Sequence, residues 1–163
     1  MFSSILVLIL YATVIGGQAP PIDTFDPAHD QCGTGFFSDF KIEKEGDVVM
    51  CLRWSSWPNT FAGAKKYCLI RGTRLGVFNT WDKMKILQRQ NNVTFVGLDD
   101  LQTEGKFIWH NGEQLENPRS SGFFNLNEPS NSLHVEDCVI LQGSLLNDVP
   151  CTMSYLFVCE KEL

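Results

Sequence analysis

The sequence contains few basic residues. It has 13 Lys and Arg residues against 19 Asp and Glu residues, which gives a formal net charge of −6 over 163 residues. No basic stripe runs along the chain, so nucleic acids and anionic membrane surfaces are poor candidate partners. The acidic excess is compatible with cation binding.

Sequence motifs of several enzyme classes are also missing. No HExxH, GxSxG or P-loop pattern occurs in the chain. The three histidines, His29, His110 and His134, are too scattered to indicate a zinc triad. No two cysteines have the CxxC spacing of a thiolate metal site. We therefore predict that the protein is not an enzyme.

Long apolar runs are scarce, and the longest covers residues 5–15. Small residues follow this run, which is typical of a secretory signal peptide. We predict a signal peptide at residues 1–18, a short leader at 19–31, and a secreted, extracellular protein without membrane insertion. An uncleaved membrane anchor is the alternative, but a bilayer span needs about 20 residues.

No collagen-like glycine repeat or heptad pattern precedes the first cysteine, so the sequence provides no visible oligomerising stalk. Whether the protein forms a homo-oligomer is therefore left open. The sequon Asn92-Val93-Thr94 predicts N-glycosylation at Asn92.

Six cysteines are present, and an even number behind a signal peptide predicts disulfides formed in an oxidising compartment. Six cysteines allow 15 pairings, so their number alone fixes none of them. The cysteines are Cys32, Cys51, Cys68, Cys138, Cys151 and Cys159.

Hydrophobic periodicity predicts two helices. The first opens near residues 56–58, with Pro58 in its first turn, and ends at Gly72. The second opens at Asn79 or Thr80. Strand-like runs cover residues 48–54, 95–98, 106–109, 138–141 and 154–159. Between residues 111 and 136 lies a long turn-rich stretch, which a bound ion would help to order.

Carboxylates and amides are concentrated around the last three cysteines. Glu128-Pro129-Ser130 precedes Glu136-Asp137, which adjoins Cys138, and Asn147-Asp148 lies shortly before Cys151. Oxygen ligands of this kind suit a hard cation such as calcium.

Two further motifs identify a family. Phe95-Val96-Gly97-Leu98 is similar to the core strand motif WIGL of one domain family. Phe157-Val158-Cys159-Glu160 matches the usual C-terminal end of domains in that family. Together with the cysteine spacing and the acidic cluster, they resemble a long-form C-type lectin-like domain from Cys32 to Glu160. We accordingly predict a domain at residues 32–161.

The resemblance implies an α+β fold in which two helices flank small antiparallel sheets, with a long irregular calcium-binding loop. It also implies three disulfides, which pair Cys32 with Cys51, Cys68 with Cys159, and Cys138 with Cys151.

A calcium-dependent carbohydrate site is implied as well. Its metal ligands and sugar contacts would be Glu128, Ser130, Glu136, Asn147 and Asp148, with a cis bond before Pro129. The Glu-first triplet resembles the version that accepts mannose, fucose and N-acetylglucosamine, so the expected partners are glycans or glycoproteins. A second calcium site would use Glu136 together with Asp100, Glu104, Asn131 and Asp137.

The sequence departs from the family pattern at two positions of this site. Ser130 replaces the usual Asn of the triplet, and Leu146 replaces a Trp before the Asn-Asp pair. Both changes bear on affinity and ligand preference. The alternative function is a lectin-like domain that binds a protein ligand without calcium or sugar.

Overall fold

The structure is a computed structural model that describes residues 31–163. The predicted signal peptide and nearly all of the predicted leader lie outside these residues, so both stay predictions. The helices and strands described below fall between Gly35 and Lys161, within the predicted domain.

Two α-helices are present in the described part of the chain, and both begin after a threonine cap. Helix α1 spans Phe61–Ile70 and helix α2 spans Trp81–Gln88. The side chains of Thr60 and Thr80 accept main-chain hydrogen bonds at the two starts, which satisfies amides that have no partner within the helix. Neither helix is long and apolar enough to cross a membrane, and the same holds for every helix within residues 31–163.

Helix α1 begins later than the sequence predicts. Pro58 lies outside it, and Asn59–Thr60 instead form a short strand that pairs with the last strand of the domain. The pairing ties the start of the helix to the sheet, which no local signal reveals. Helix α2 begins where it was predicted.

Nine strands complete the fold of residues 31–163, and the register gives the order β1-β2-β9-β5-β7-β8. The short strands β3 and β4 pair with β9, and β6 pairs with β5. All pairs are antiparallel except β5 with β9, which run parallel. The strands are β1 Lys41–Glu45, β2 Val48–Trp54, β3 Asn59–Thr60, β4 Arg74–Leu75, β5 Thr94–Asp99, β6 Ile108–Trp109, β7 Cys138–Gln142, β8 Leu145–Val149 and β9 Ser154–Lys161.

Strand β5 lies at the centre of the core, and all six of its residues are buried. Phe95 packs edge-on against Phe61 of α1 with ring centroids 5.3 Å apart. A Cβ atom at Gly97 would lie 2.4 Å from the carbonyl oxygen of Leu75, so only glycine fits here. The glycine of the Phe95-Val96-Gly97-Leu98 motif is therefore explained by the close packing of β5 against Leu75 of β4.

Three disulfides join the elements, and their pairing is the one that the resemblance implied. They link Cys32 with Cys51, Cys68 with Cys159, and Cys138 with Cys151. The second ties α1 to β9, and the third ties β7 to the turn after β8. The α+β fold with two helices, small sheets and three disulfides is thus confirmed.

Candidate functional site

The candidate site lies where the irregular stretch at residues 111–137 meets β7 and β8. A turn within this stretch is closed by the Glu128 amide, which donates to the Asn125 carbonyl at 3.0 Å. The peptide bond between Glu128 and Pro129 is cis, as predicted. The turn carries Glu128 and Ser130 on either side of the proline.

Asp148 on β8 anchors this turn to the sheet. Its side chain is only 1% exposed, and its two carboxylate oxygens accept the amides of Ser130 and Asn131 at 2.9 and 2.7 Å. Hydrogen bonds to a charged acceptor are among the stronger ones. A single buried carboxylate therefore holds the residues that follow the proline.

Glu136 closes the next part of the stretch. Its carboxylate accepts from the Ser130 hydroxyl at 3.0 Å and from the Ser132 amide at 2.5 Å. The Glu136 amide in turn donates to the Asn131 side chain at 3.3 Å. Ser130, Asn131 and Glu136 are thereby held beside Asp148.

Asn147 connects this group to Glu128. In one orientation its side-chain nitrogen donates to Gln142 at 2.9 Å. In the opposite orientation the nitrogen donates to the Glu128 carboxylate at 2.9 and 3.2 Å. The second orientation places a donor against the acidic side chain, which is the chemically better match. All five residues predicted for the main site therefore lie together.

The electrostatics of the main site favour a cation. Burial raises the pKa of Glu128, and the adjacent Asp148 carboxylate raises it further. Within residues 31–163, no Lys, Arg or His side chain forms an ion pair with Glu128, Glu136 or Asp148. Neighbouring carboxylates that lack a counter-charge suit an added cation.

Carboxylates alone do not complete this site. In the described part of the chain, no three or more His, Cys, Asp or Glu side chains are arranged to hold a metal ion by themselves. A cation would need amide, hydroxyl or main-chain oxygens as well, and Asn147 and Ser130 offer the first two. This donor set fits calcium, which takes about 6–8 oxygen ligands of mixed type.

The predicted second site is centred on Asp100. Its amide donates to the Asp137 carbonyl at 3.1 Å, and its Oδ2 accepts from the Gly105 amide at 2.8 Å. Its Oδ1 is buried without a partner in the described residues. Burial raises the pKa of Asp100 to about 6, and the charges of Glu104 and Asp137 add to this effect. The orphaned carboxylate oxygen is a candidate cation ligand, but here too amide or main-chain oxygens would have to complete the site.

Two residues that support the site were not identified from the sequence. Asn125 donates from its side chain to the carbonyls of Gln142 and Leu145, at 3.1 and 3.3 Å, and Gln142 also lies against Asn147. The contacts of Asn125 join positions 17 and 20 residues apart in the chain. The one local signal is the density of asparagine in the stretch before Glu128.

The family assignment comes from comparison with known proteins. The model of the lectin C-type domain matches residues 58–161. The chain belongs to the C-type lectin family. Residues 58–161 therefore form a lectin C-type domain. Members of this family are not enzymes, which confirms that prediction for this domain.

Several C-type lectins are similar to this chain. C-type lectin domain family 4 member F of Mus musculus is 33% identical over 104 residues, which cover 60% of this chain and 19% of that protein. C-type lectin domain family 4 member E of Homo sapiens is 30% identical over 118 residues, or 68% of this chain and 53% of that protein. The chain thus spans about half or less of the length of these relatives.

A relative from an insect and a solved structure extend the comparison. The hemolymph lipopolysaccharide-binding protein of Periplaneta americana is 31% identical over 133 residues, or 71% of this chain and 50% of that protein. A trimeric structure of the Kupffer cell C-type lectin receptor Clec4f aligns with a TM-score of 0.68 at 27% identity. It covers 77% of this chain and 84% of that chain.

Leu146 has a structural role in this C-type lectin. Leu146 is fully buried in the core, and its amide donates to the Phe123 carbonyl at 2.8 Å. Its carbonyl accepts from the Asn125 amide at 2.8 Å. Phe123 and Phe124 are also largely buried, so they pack beneath the stretch and do not form a ligand platform. Leucine fills this core position in place of the usual tryptophan.

Proposed function

We propose that the chain is a secreted lectin that binds mannose-, fucose- or N-acetylglucosamine-type glycans in a calcium-dependent manner. The proposal is carried by one observation. The side chains that the family uses for calcium and sugar lie together at the junction of β8 and the irregular stretch, and their carboxylates have no basic partner within residues 31–163. These side chains belong to Glu128, Ser130, Glu136, Asn147 and Asp148.

The metal ligands on this chain follow from the donor set. Glu128, Asn147 and Asp148 would hold the ion at the main site, with Ser130 and Glu136 beside them. A bound calcium ion supplies positive charge and free coordination positions for two neighbouring sugar hydroxyls. Asp100, Glu104, Asn131, Glu136 and Asp137 would hold a second ion.

The residues of the main site also contact the sugar directly in this proposal. Carboxylate oxygens of Glu128 accept from sugar hydroxyls, and the Asn147 amide donates to a sugar oxygen. Such charge-assisted bonds are directional and select the arrangement of the hydroxyls. Ser130 offers one short hydroxyl in place of an amide, so it contributes a weaker contact than the usual asparagine.

The test is retention on mannose-agarose in calcium, followed by elution with EDTA. We expect the protein to be retained and Glu128→Gln to abolish retention, because the variant loses a carboxylate that contacts both ion and sugar. Glu116→Gln is the matched control, since Glu116 is an exposed residue of the same stretch. Thermal unfolding without calcium should hardly change in either variant. Retention of Glu128→Gln equal to that of the unmodified protein would show that the assigned residues are wrong.

A protein ligand is the second candidate, and two exposed leucines favour it. Leu126 and Leu133 flank the site in sequence and are 90% and 88% exposed. A protein partner that covered these apolar side chains would remove them from water, which is favourable. A correctly folded protein that no glycan resin retains, with or without calcium, would favour this function.

A further inference from the structure

A cleft opens directly beside the candidate sugar site. It encloses about 390 Å³, a size typical of small-ligand sites, and Pro129, Asn131 and Asp148 are among the residues that line it. These three residues belong to the turn and strand that build the main site. A glycan seated at the main site therefore has the cleft next to it.

A positively charged residue, Arg119, also lines the cleft. Arg119 lies in the short 3₁₀ helix Pro118–Ser120 and is exposed. No carboxylate of the described residues pairs with it. By contrast, Arg53, Arg71, Arg74 and Arg89 each pair with an Asp or a Glu. Arg119 is thus the one arginine of residues 31–163 that stays free to pair with a ligand.

The segment that carries Arg119 is held in place. The Ser121 hydroxyl donates to the Pro118 carbonyl at 2.7 Å and accepts from the Phe123 amide at 3.1 Å. Phe123 packs against Trp81 of α2 with ring centroids 4.9 Å apart. The main chain that carries Arg119 is therefore held in place before a ligand binds, which lowers the entropy cost of binding.

The acidic residues around the cleft decide where a negative group fits. Asp148 already uses both carboxylate oxygens to accept main-chain amides. Glu104 lines the cleft as well, but in the proposed function it holds the second calcium ion, whose charge would offset that of its carboxylate. The side-chain positive charge that remains for a negatively charged substituent is that of Arg119.

We propose that this cleft binds a negatively charged substituent on the glycan, a carboxylate or a sulfate ester, through Arg119. The inference deepens the proposed function, because it assumes a sugar at the main site and names the class of glycan. The guanidinium donates two parallel hydrogen bonds to either anion, which a lysine does not match.

The test compares binding of matched mannose oligosaccharides in neutral, uronic-acid and 6-sulfated forms, in calcium. We expect the unmodified protein to prefer one or both anionic forms by about three- to tenfold at low salt, because a partly exposed ion pair contributes modestly. The separate carboxylate and sulfate arms identify which anion is recognised. The preference should shrink in 0.5 M salt, since screening weakens exposed charges.

Variants make the test specific to the cleft. Arg119→Gln should remove the preference while binding of the neutral form stays within about twofold, and Arg119→Lys should retain part of it. Lys66→Gln is the matched control, because it removes one exposed positive charge from α1, outside the cleft. It should leave the preference unchanged. Equal binding of all three forms, or equal preference in Arg119→Gln and the unmodified protein, would overturn the proposal.

A different binding pattern would show that the proposed function, and not the cleft, is wrong. If the neutral form does not bind but an anionic form binds through Arg119, the cleft is supported and the main sugar site is wrong. If no form binds, both are wrong. Thermal unfolding of Arg119→Gln checks that the variant is folded, which we expect for an exposed residue.

Discussion

The scaffold around β5 and the irregular stretch at residues 111–137 differ in what satisfies their main-chain amides. In the scaffold, the amides of neighbouring strands pair with carbonyls, and apolar side chains such as Phe95 and Leu98 fill the interior. In the irregular stretch, three consecutive amides, those of Ser130, Asn131 and Ser132, donate instead to the carboxylates of Asp148 and Glu136. Asp148 and Glu136 therefore each support both the local structure and the candidate site.

The backbone conformations differ in the same way. All five non-glycine residues with a positive φ among residues 31–163 lie in the irregular stretch, whereas the scaffold uses glycine for such positions. A left-handed conformation costs roughly 1–2 kcal/mol for most residues. The stretch is therefore held by specific side-chain contacts, while the scaffold is held by apolar burial and disulfides. The five residues are Asn117, Asn127, Asn131, Leu133 and His134.

The largest effect should come from opening the scaffold disulfide. Cys68→Ala with Cys159→Ala removes a link that spans 91 residues. The unfolded chain then gains conformational entropy, so we expect the free energy of unfolding to fall by about 4–5 kcal/mol. The same change at Cys138 and Cys151, which are 13 residues apart, should cost about 3 kcal/mol. Urea denaturation measures both. A larger loss of unfolding free energy for the Cys138 and Cys151 pair than for the Cys68 and Cys159 pair would contradict this order.

The next effect should appear at Asp148. Asp148→Asn leaves a single acceptor oxygen for the amides of Ser130 and Asn131, so one of them loses its partner. We expect a loss of about 2–3 kcal/mol in the free energy of unfolding, together with loss of calcium-dependent sugar binding. Hydrogen exchange should show weaker protection at Ser130 or Asn131 and unchanged protection in β5. Glu116→Gln controls for a charge change in the same stretch, and equal exchange in both variants would count against this role of Asp148.

The pH dependence of stability should depend on Asp100. Burial raises its pKa in the folded protein from 3.8 to about 6, so its contribution to stability is fully present below pH 3.8 and is lost as the pH rises through about 6. In EDTA at pH 7.5, Asp100→Asn should therefore raise the free energy of unfolding by about 1–2 kcal/mol, and at pH 3.5 it should change little. Denaturant unfolding at the two pH values measures this difference.

Calcium supplies the control for Asp100. If Asp100 belongs to the proposed second site, added calcium should stabilise the unmodified protein more than Asp100→Asn, which reverses the sign of the difference at pH 7.5. A stabilising effect of Asp100→Asn that persists unchanged in calcium would show that no ion binds at Asp100.

Local sequence patterns predicted some elements of the scaffold and missed others. Strand β5 and helix α2 were predicted from local patterns, because apolar periodicity and capping residues are encoded within a few positions. Strand β8 was not predicted, since its Asn147 and Asp148 are poor strand formers and pairing with β7 overrides their preference. The start of α1 was misjudged for a related reason, because Asn59–Thr60 pair with a distant strand.

The candidate site was also predicted only in part. Its acidic and amide residues were predicted because they stand at family spacings beside cysteines, and the structure brings them together. The hydrogen bonds that hold them were not predicted. They join Ser130 to Asp148 and Asn125 to Leu145 across a fold that local patterns do not specify. Arg119 was likewise missed, because its importance depends on the cleft and on the absence of an acidic partner within residues 31–163.

The smallest effect on stability, and the one that separates the two regions best, should come from Ser130→Asn. Ser130 is exposed, so the free energy of unfolding should change by less than about 0.5 kcal/mol. The asparagine restores an amide donor, and one added hydrogen bond should strengthen mannose binding about two- to tenfold. Ser130→Ala, which removes the hydroxyl, should weaken it. Titration with methyl mannoside in calcium measures both. Affinities that do not differ among the three proteins would mean that residue 130 does not contact the sugar.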